Sequence, residues 1–286
     1  MVVAFALLAL VSGCTALRLA YGTAPDLAYW WIDRYVVFDE AQTPRVREAL
    51  AQWFAWHRRS QVPDYATQLA RARAEVVADT TAARACEWQA EAGKRFHTAF
   101  DQAAPAVAEV VLTIKPEQVR KIERRHAKAN ADYRQAYLQA DARQRTEQTF
   151  ERTVDRLETL YGSLDAAQRA RVAELLERSP FDPELWLAER QLRQQEATQL
   201  IRKLVAGAAS RDQARTAVLA YVERMRQSPR EAYRRYAERL SDFNCGFAAD
   251  LHNRTTLAQR RHAAQKIAGW EGDLRAIAGI AELASN

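Results

Sequence analysis

Apolar residues recur along most of this chain at intervals of three and four, the spacing that gathers them on one side of an α-helix. Val46, Leu50, Trp53, Phe54 and His57 form one such stripe, Phe150, Val154, Leu157 and Tyr161 a second, and Val218, Tyr221, Val222 and Met225 a third. The longest runs through Tyr233, Tyr236, Leu240, Phe243, Phe247 and Leu251. The pattern predicts helices over 25–37, 40–60, 63–78, 81–103, 105–114, 117–138, 142–161, 166–178, 183–206, 211–227, 230–252 and 257–281. Their starts are written in local chemistry. Phe38-Asp39-Glu40-Ala41-Gln42 reads as a hydrophobic staple, an N-cap and a reciprocal glutamine. The same glutamine, three places past a cap, recurs at Lys115 to Gln118, Asp165 to Gln168 and Thr256 to Gln259. Pro63, Pro183 and Pro229 stand as first helical residues. Only Val110 to Ile114 has strand-like content, and a lone short run cannot found a sheet. The expectation is an all-α, single multi-helix domain of roughly 10 to 12 helices. Gly207-Ala208-Ala209-Ser210 is the best linker, and it is too short to divide the domain.

The first residues depart from this pattern. Val2 to Val11 is apolar throughout, well short of the roughly 20 residues a membrane-spanning helix needs, and small residues and a cysteine follow at once. Val11-Ser12-Gly13-Cys14 resembles the lipobox of bacterial lipoproteins. The resemblance implies cleavage after Gly13 and acylation of Cys14, with stable anchoring because two or more acyl chains hold where one is marginal. It divides the chain into a signal peptide over 1–13, a lipidated tether over 14–24 and a helical domain over 25–286. Thr15, standing where an aspartate would retain the protein at the inner membrane, implies transfer to the periplasmic face of the outer membrane. No Lys or Arg precedes Arg18, whereas signal peptides start basic, so the translation start is expected further upstream. The aromatic segment Tyr29-Trp30-Trp31-Ile32-Asp33-Arg34-Tyr35 is read as core, because Asp26, Asp33 and Arg34 interrupt its apolar face; the other reading lays it on a bilayer.

Composition supports an ordered helical body. Apolar residues make up 48% of the chain, with seven Trp, ten Tyr and nine Phe, while Gly and Pro are scarce. The net charge is +6 and the pI about 9.3, yet Arg alternates with Glu and Asp over every helix, as on solvated faces. Nucleic acid is not an expected partner for an exported chain; anionic lipid or cell-wall polymer fits the charge better. With Cys14 acylated, Cys86 and Cys245 remain, and an even pair in an oxidising compartment reads as a disulfide. Ala90, Gly93 and His97 share the stripe of Cys86, and Ala249 and His252 that of Cys245, small enough for two backbones to approach.

Chemistry-bearing motifs are absent from the sequence. It contains no Gly-rich phosphate loop, no GxSxG elbow and no HExxH, and His57, His97, His126, His252 and His262 never fall three or four apart. No cofactor or metal is expected. Trp53-Phe54-Ala55-Trp56-His57-Arg58-Arg59, Ser179 to Arg190 with Asp182 and Trp186, and Asn244-Cys245 with Leu251-His252-Asn253-Arg254-Thr255-Thr256 resemble an uncharacterised family of all-helical bacterial lipoproteins over nearly the whole mature chain. The resemblance implies the lipidated address and the helical body, and nothing catalytic. His57, Arg58, Asp182, Trp186, His252 and Asn253 are the surface or pocket candidates. Leu164 to Gln168 is also similar to the LTxxQ motif of small helical periplasmic chaperones, with Asp in place of Thr. The leading expectation is a non-catalytic envelope lipoprotein that binds an envelope protein, lipid or cell-wall partner. A periplasmic chaperone-like factor is the first alternative. An enzyme acting on cell-wall or lipid material is the second, and it requires His57, His126 and His252 to converge in one cleft.

Overall fold

A computed structural model describes residues 20–279. The expected signal peptide, Cys14 and most of the tether lie outside the described residues, as does 280–286. Within them every regular element is an α-helix: α1 (Ala24–Val36), α2 (Gln42–Ser60), α3 (Val62–Glu75), α4 (Ala82–Val111), α5 (Pro116–Tyr137), α6 (Ala142–Tyr161), α7 (Ala166–Glu177), α8 (Pro183–Ala206), α9 (Arg211–Arg226), α10 (Glu231–Asn253) and α11 (Leu257–Ala278). The fold begins inside the stretch expected to be tether. Ala20 to Gly22 are helical, and Tyr21 packs edge-on against Phe54 and bonds His57 at 2.8 Å.

The largest departure from the periodicity is α4, one helix of 30 residues where two were expected, with Pro105 inside it. An interior proline removes one backbone bond and costs about 3 kcal/mol in an isolated helix. Here both sides of the proline are held from outside. Ala104 and Ala108 are buried against Ala214, Val218 and Leu204, and Cys86 is fastened to α10 near the other end. Pro229 also departs, lying ahead of the Arg230 N-cap instead of inside the first turn.

The helix starts hold the architecture. At α7, Asp165 accepts the N–H of Gln168 and the Gln168 Oε1 accepts the N–H of Asp165; Thr256 and Gln259 do the same at α11. Asp39 and Gln42 repeat the exchange ahead of α2. At α5 only half of it exists, because a lysine side chain cannot accept: Gln118 Oε1 takes the Lys115 N–H at 2.9 Å, and Pro116 leaves one fewer donor to satisfy. Ser210 and Gln213 form a further box at α9, beyond the four starts the sequence pattern marks.

Four of these glutamines do more than cap. Gln42 Nε2 donates to Gln118 Oε1 at 3.2 Å and Gln118 Nε2 returns a bond to Gln42 Oε1 at 2.7 Å. Gln168 and Gln259 exchange the same two bonds at 2.8 and 2.9 Å. Each Nε2 also donates to a backbone carbonyl two residues before the opposite cap: Gln42 to Thr113, Gln118 to Val37, Gln168 to Arg254 and Gln259 to Ser163. The cap N–H fixes each carboxamide orientation, since it needs an oxygen, and that leaves Nε2 to face the partner.

The two glutamine pairs mark an internal repeat. α1 leads into the first pair and touches α2 and α5; α6 leads into the second and touches α7 and α11. A carboxylate on each lead-in helix accepts the N–H just ahead of the cap, Asp33 from Phe38 at 2.8 Å and Glu158 from Leu164 at 3.0 Å. The sequence agrees over the first turns: Gln42, Arg45, Val46, Glu48 and Leu50 match Gln168, Arg171, Val172, Glu174 and Leu176 at one constant offset. The halves clasp one another reciprocally. α5 of the first lies along α8 of the second, α11 of the second lies along α3 of the first, and α4 runs against α9 and α10.

Replacing Gln168 by Met leaves Gln259 and the Arg254 carbonyl without their partners in a part-buried site. The loss expected from urea unfolding is on the order of 2 kcal/mol. The Gln168→Met, Gln259→Met double variant should lose less than the sum of the singles by on the order of 1 kcal/mol, the signature of a mutual bond.

Candidate functional site

The two cysteines that the sequence pairs are bonded. Cys86 of α4 and Cys245 of α10 form a disulfide with Cα atoms 5.3 Å apart, and it joins the first half of the repeat to the second. Cys245 and Ala249 are buried beside the bond, as the small-residue stripe predicts.

The six surface or pocket candidates have structural partners, and they do not form one site. His57 stacks on Trp53 with centroids 4.9 Å apart, and Arg58 lies 5.4 Å over the Tyr21 ring. Asp182 caps α8, accepting from the N–H groups of Glu184 and Leu185, and its own N–H reaches the Tyr236 hydroxyl. Trp186 stacks on Tyr133 at 4.6 Å in the seam between α5 and α8. His252 is buried, with Nε2 2.7 Å from the Ala78 carbonyl and Nδ1 2.9 Å from the Tyr161 hydroxyl. A carbonyl only accepts, so Nε2 carries a proton and donates to Ala78. Asn253 grips both backbone groups of Thr80 at 2.9 Å, and Arg260 pairs with Asp79 at 2.5 Å. Together these three residues sew the loop over 76–81 to the end of α10.

The histidine cluster required by the enzymatic alternative is not formed. His57 sits among Tyr21, Trp53, Trp56 and Tyr65, His126 beside Tyr35, and His252 beside Tyr161. Burial lowers the pKa of His57, and burial followed by the charge of Arg190 lowers that of His126, so both rings are neutral at physiological pH. Among the described residues no group of three His, Cys, Asp or Glu side chains is placed to hold a metal ion.

Two kinds of surface remain. A groove of about 600 Å³ between α3 and α4 is lined by Asp64, Gln68, Arg71, Glu91, Lys94 and Arg95. Its charges are largely spent on each other, Arg95 on Asp64 at 2.5 Å and Arg71 on Glu91 at 3.2 Å. The other kind is apolar. On α4, Phe96 is 62% exposed and Phe100 46%, with Val107 on the same stripe and the two rings 4.7 Å apart. On α1, Leu27, Trp30 and Trp31 are each more than half exposed. This corrects the expectation that the α1 aromatics are core. Tyr29 and Tyr35 do turn inward, Tyr29 to Thr43 and Phe38 and Tyr35 to His126, but no residue of α1 is fully buried. Of the charged positions that interrupt the pattern, Arg34 shares the exposed face and lies 4.7 Å over the Trp30 ring, whereas Asp26 pairs with Arg47 and Asp33 accepts the Phe38 N–H. Tryptophan is ordinarily core, so exposure of an adjacent pair cannot be read from spacing alone.

Fold and surface together define an all-helical protein of two clasped repeats, held by one disulfide across them. The chain belongs to the family of unknown function DUF6279, whose profile matches residues 34–219. The match takes in Cys86 and three of the four paired glutamines and ends before Cys245, so it is narrower than the whole-chain likeness expected. Neither the curated proteins nor the solved structures compared with the chain gave a match.

The bond between Cys86 and Cys245 closes a loop over a separation of 159 residues. Chain entropy alone makes it worth about 5 kcal/mol, an upper figure. The Cys86→Ser, Cys245→Ser double variant should unfold at markedly lower urea concentration than wild type, and dithiothreitol should bring wild type down to the same midpoint.

Proposed function

We propose that the protein is a non-catalytic cell-envelope lipoprotein, anchored through Cys14 at the periplasmic face of the outer membrane and acting by binding an envelope component. The observation that carries this reading is the Cys86–Cys245 disulfide, because structural disulfides form and persist in oxidising compartments and are rare in the cytosol. Two cysteines so committed leave Cys14 as the third, at the end of an apolar run. Among the described residues no helix is long and apolar enough to cross a membrane, so a stable association would fall to the lipid. In a Gram-negative host fed labelled palmitate, wild type should take up label and sediment with outer membranes, and Cys14→Ser should do neither. An unlabelled wild-type chain sinks the reading.

A second reading, a chaperone-like factor, is favoured by a different observation. The paired glutamines behind the LTxxQ likeness are fully employed in the fold, so they no longer argue for it. The exposed Phe96 and Phe100 do, since an apolar stripe facing solvent can hold an unfolded client. Suppression of the aggregation of a reduced, unfolding client at stoichiometric protein should be present in wild type and lost in Phe96→Ser, Phe100→Ser. Equal suppression by both proteins, or none by wild type, removes it.

A further inference from the structure

We propose that the outer face of α1, made by Leu27, Trp30 and Trp31, is seated in the headgroup layer of a phospholipid bilayer, so that the helical body lies against the membrane and does not swing from its anchor. The proposal rests on the reading of Cys14 as the acylated residue.

Exposure and chemistry make the first argument. The three side chains are 55%, 57% and 59% exposed and fall at i, i+3 and i+4, so they form one continuous stripe while Tyr29, Ile32 and Tyr35 face the body. A large indole with a single N–H is suited to the boundary between hydrocarbon and water, where tryptophan is enriched in membrane proteins. Arg34, one turn on and stacked over Trp30, supplies a cation at the level where lipid phosphates lie.

Reach makes the second. Residues 15–19 are all that separate Cys14 from Ala20, the first residue held in the fold through the packing of Tyr21 on α2. Fully extended at ~3.5 Å per residue they span no more than about 20 Å. Leu27 follows Ala20 by roughly two helical turns. An anchored chain therefore holds this face within a short distance of the bilayer, at a far higher local concentration of lipid than of any soluble partner.

The repeat supplies the third, an internal control. α6 occupies the place of α1 in the second half, leading into its glutamine pair and touching the two counterpart helices, α7 and α11. Its matching stretch, Arg152-Thr153-Val154-Asp155-Arg156-Leu157, contains no aromatic residue. The shared architecture does not need tryptophan there, so Trp30 and Trp31 answer to something outside the fold.

The test places the full-length protein, purified from membranes, in vesicles of phosphatidylethanolamine and phosphatidylglycerol whose acyl chains are partly brominated, and reads quenching of tryptophan fluorescence. A parallel arm adds the Cys14→Ser protein to the same vesicles at high lipid. Each arm is run with and without Trp30→Ser, Trp31→Ser, whose folding is checked by its melting temperature. Quenching in wild type that falls to the unbrominated baseline in the double variant, in either arm, supports the proposal. Quenching absent from both arms, or equal with and without the two tryptophans, overturns it and leaves the face to a protein partner or a second copy. Vesicle flotation and the mass of the amino terminus separately judge the anchor: a protein that floats without tryptophan-dependent quenching keeps its acylated cysteine and loses its seated helix.

Discussion

A carboxamide shielded from water must satisfy one acceptor and one two-hydrogen donor, and this fold is arranged around four, three buried and Gln259 half-buried, that satisfy each other in pairs. In each pair the oxygens are held by two cap N–H groups and the nitrogens by two carbonyls, so every hydrogen bond that a glutamine can offer at the junction is used. Two helix starts far apart in sequence are thereby fixed in mutual register. From the first pair follow the placing of α1 against α2 and α5; from the second, that of α6 against α7 and α11. The apolar clusters are modest by comparison. Ala104, Ala108, Ala214, Val218 and Leu204 form one, alanine-rich enough to let helices approach closely, and Val154, Val172, Leu175 and Leu251 another.

The charged surface reinforces the same joints. Asp250 on α10 is held down to about pKa 2 by the hydrogen bonds of Arg171 on α7, with Arg254 adding to them against its partial burial. Arg171 is the counterpart of Arg45 in the first repeat, but only the second copy has this bidentate carboxylate partner. Glu189, almost wholly buried, ties α8 to the start of α10 by bonding both Arg193 and Arg230. Each of these carboxylates is spent on joining one helix to another.

Most of the helices were legible because amphipathic spacing and capping chemistry are local. Asp165 with Gln168 and Thr256 with Gln259 announce their starts in four residues each. Pro105 misled for the same reason, since a local rule ends the helix there and only the distant contacts of Ala104 and Ala108 carry it through. The cysteine pair was legible from parity and small neighbours. What the glutamines do after capping was not, because nothing within four residues says that Gln168 will meet Gln259. The repeated Gln-x-x-Arg-Val-x-Glu-x-Leu at 42–50 and 168–176 was the available signal. The surface or pocket candidates all have partners within the fold. His252, Asn253 and Asp182 are distinctive because they fasten loops and helix ends, and distinctive residues in a sequence report structural demands as readily as functional ones.

Fusion of the two repeats into one polypeptide has a consequence that an assembly of two identical chains could share in only one orientation. A two-fold dimer would carry every surface feature twice, and its two equivalent aromatic faces could meet one plane only with the axis along the normal to that plane. Here the two halves share their capped helix starts and glutamine pairs, while Trp30 and Trp31 have no counterpart on α6. The duplicated scaffold is thereby given a top and a bottom.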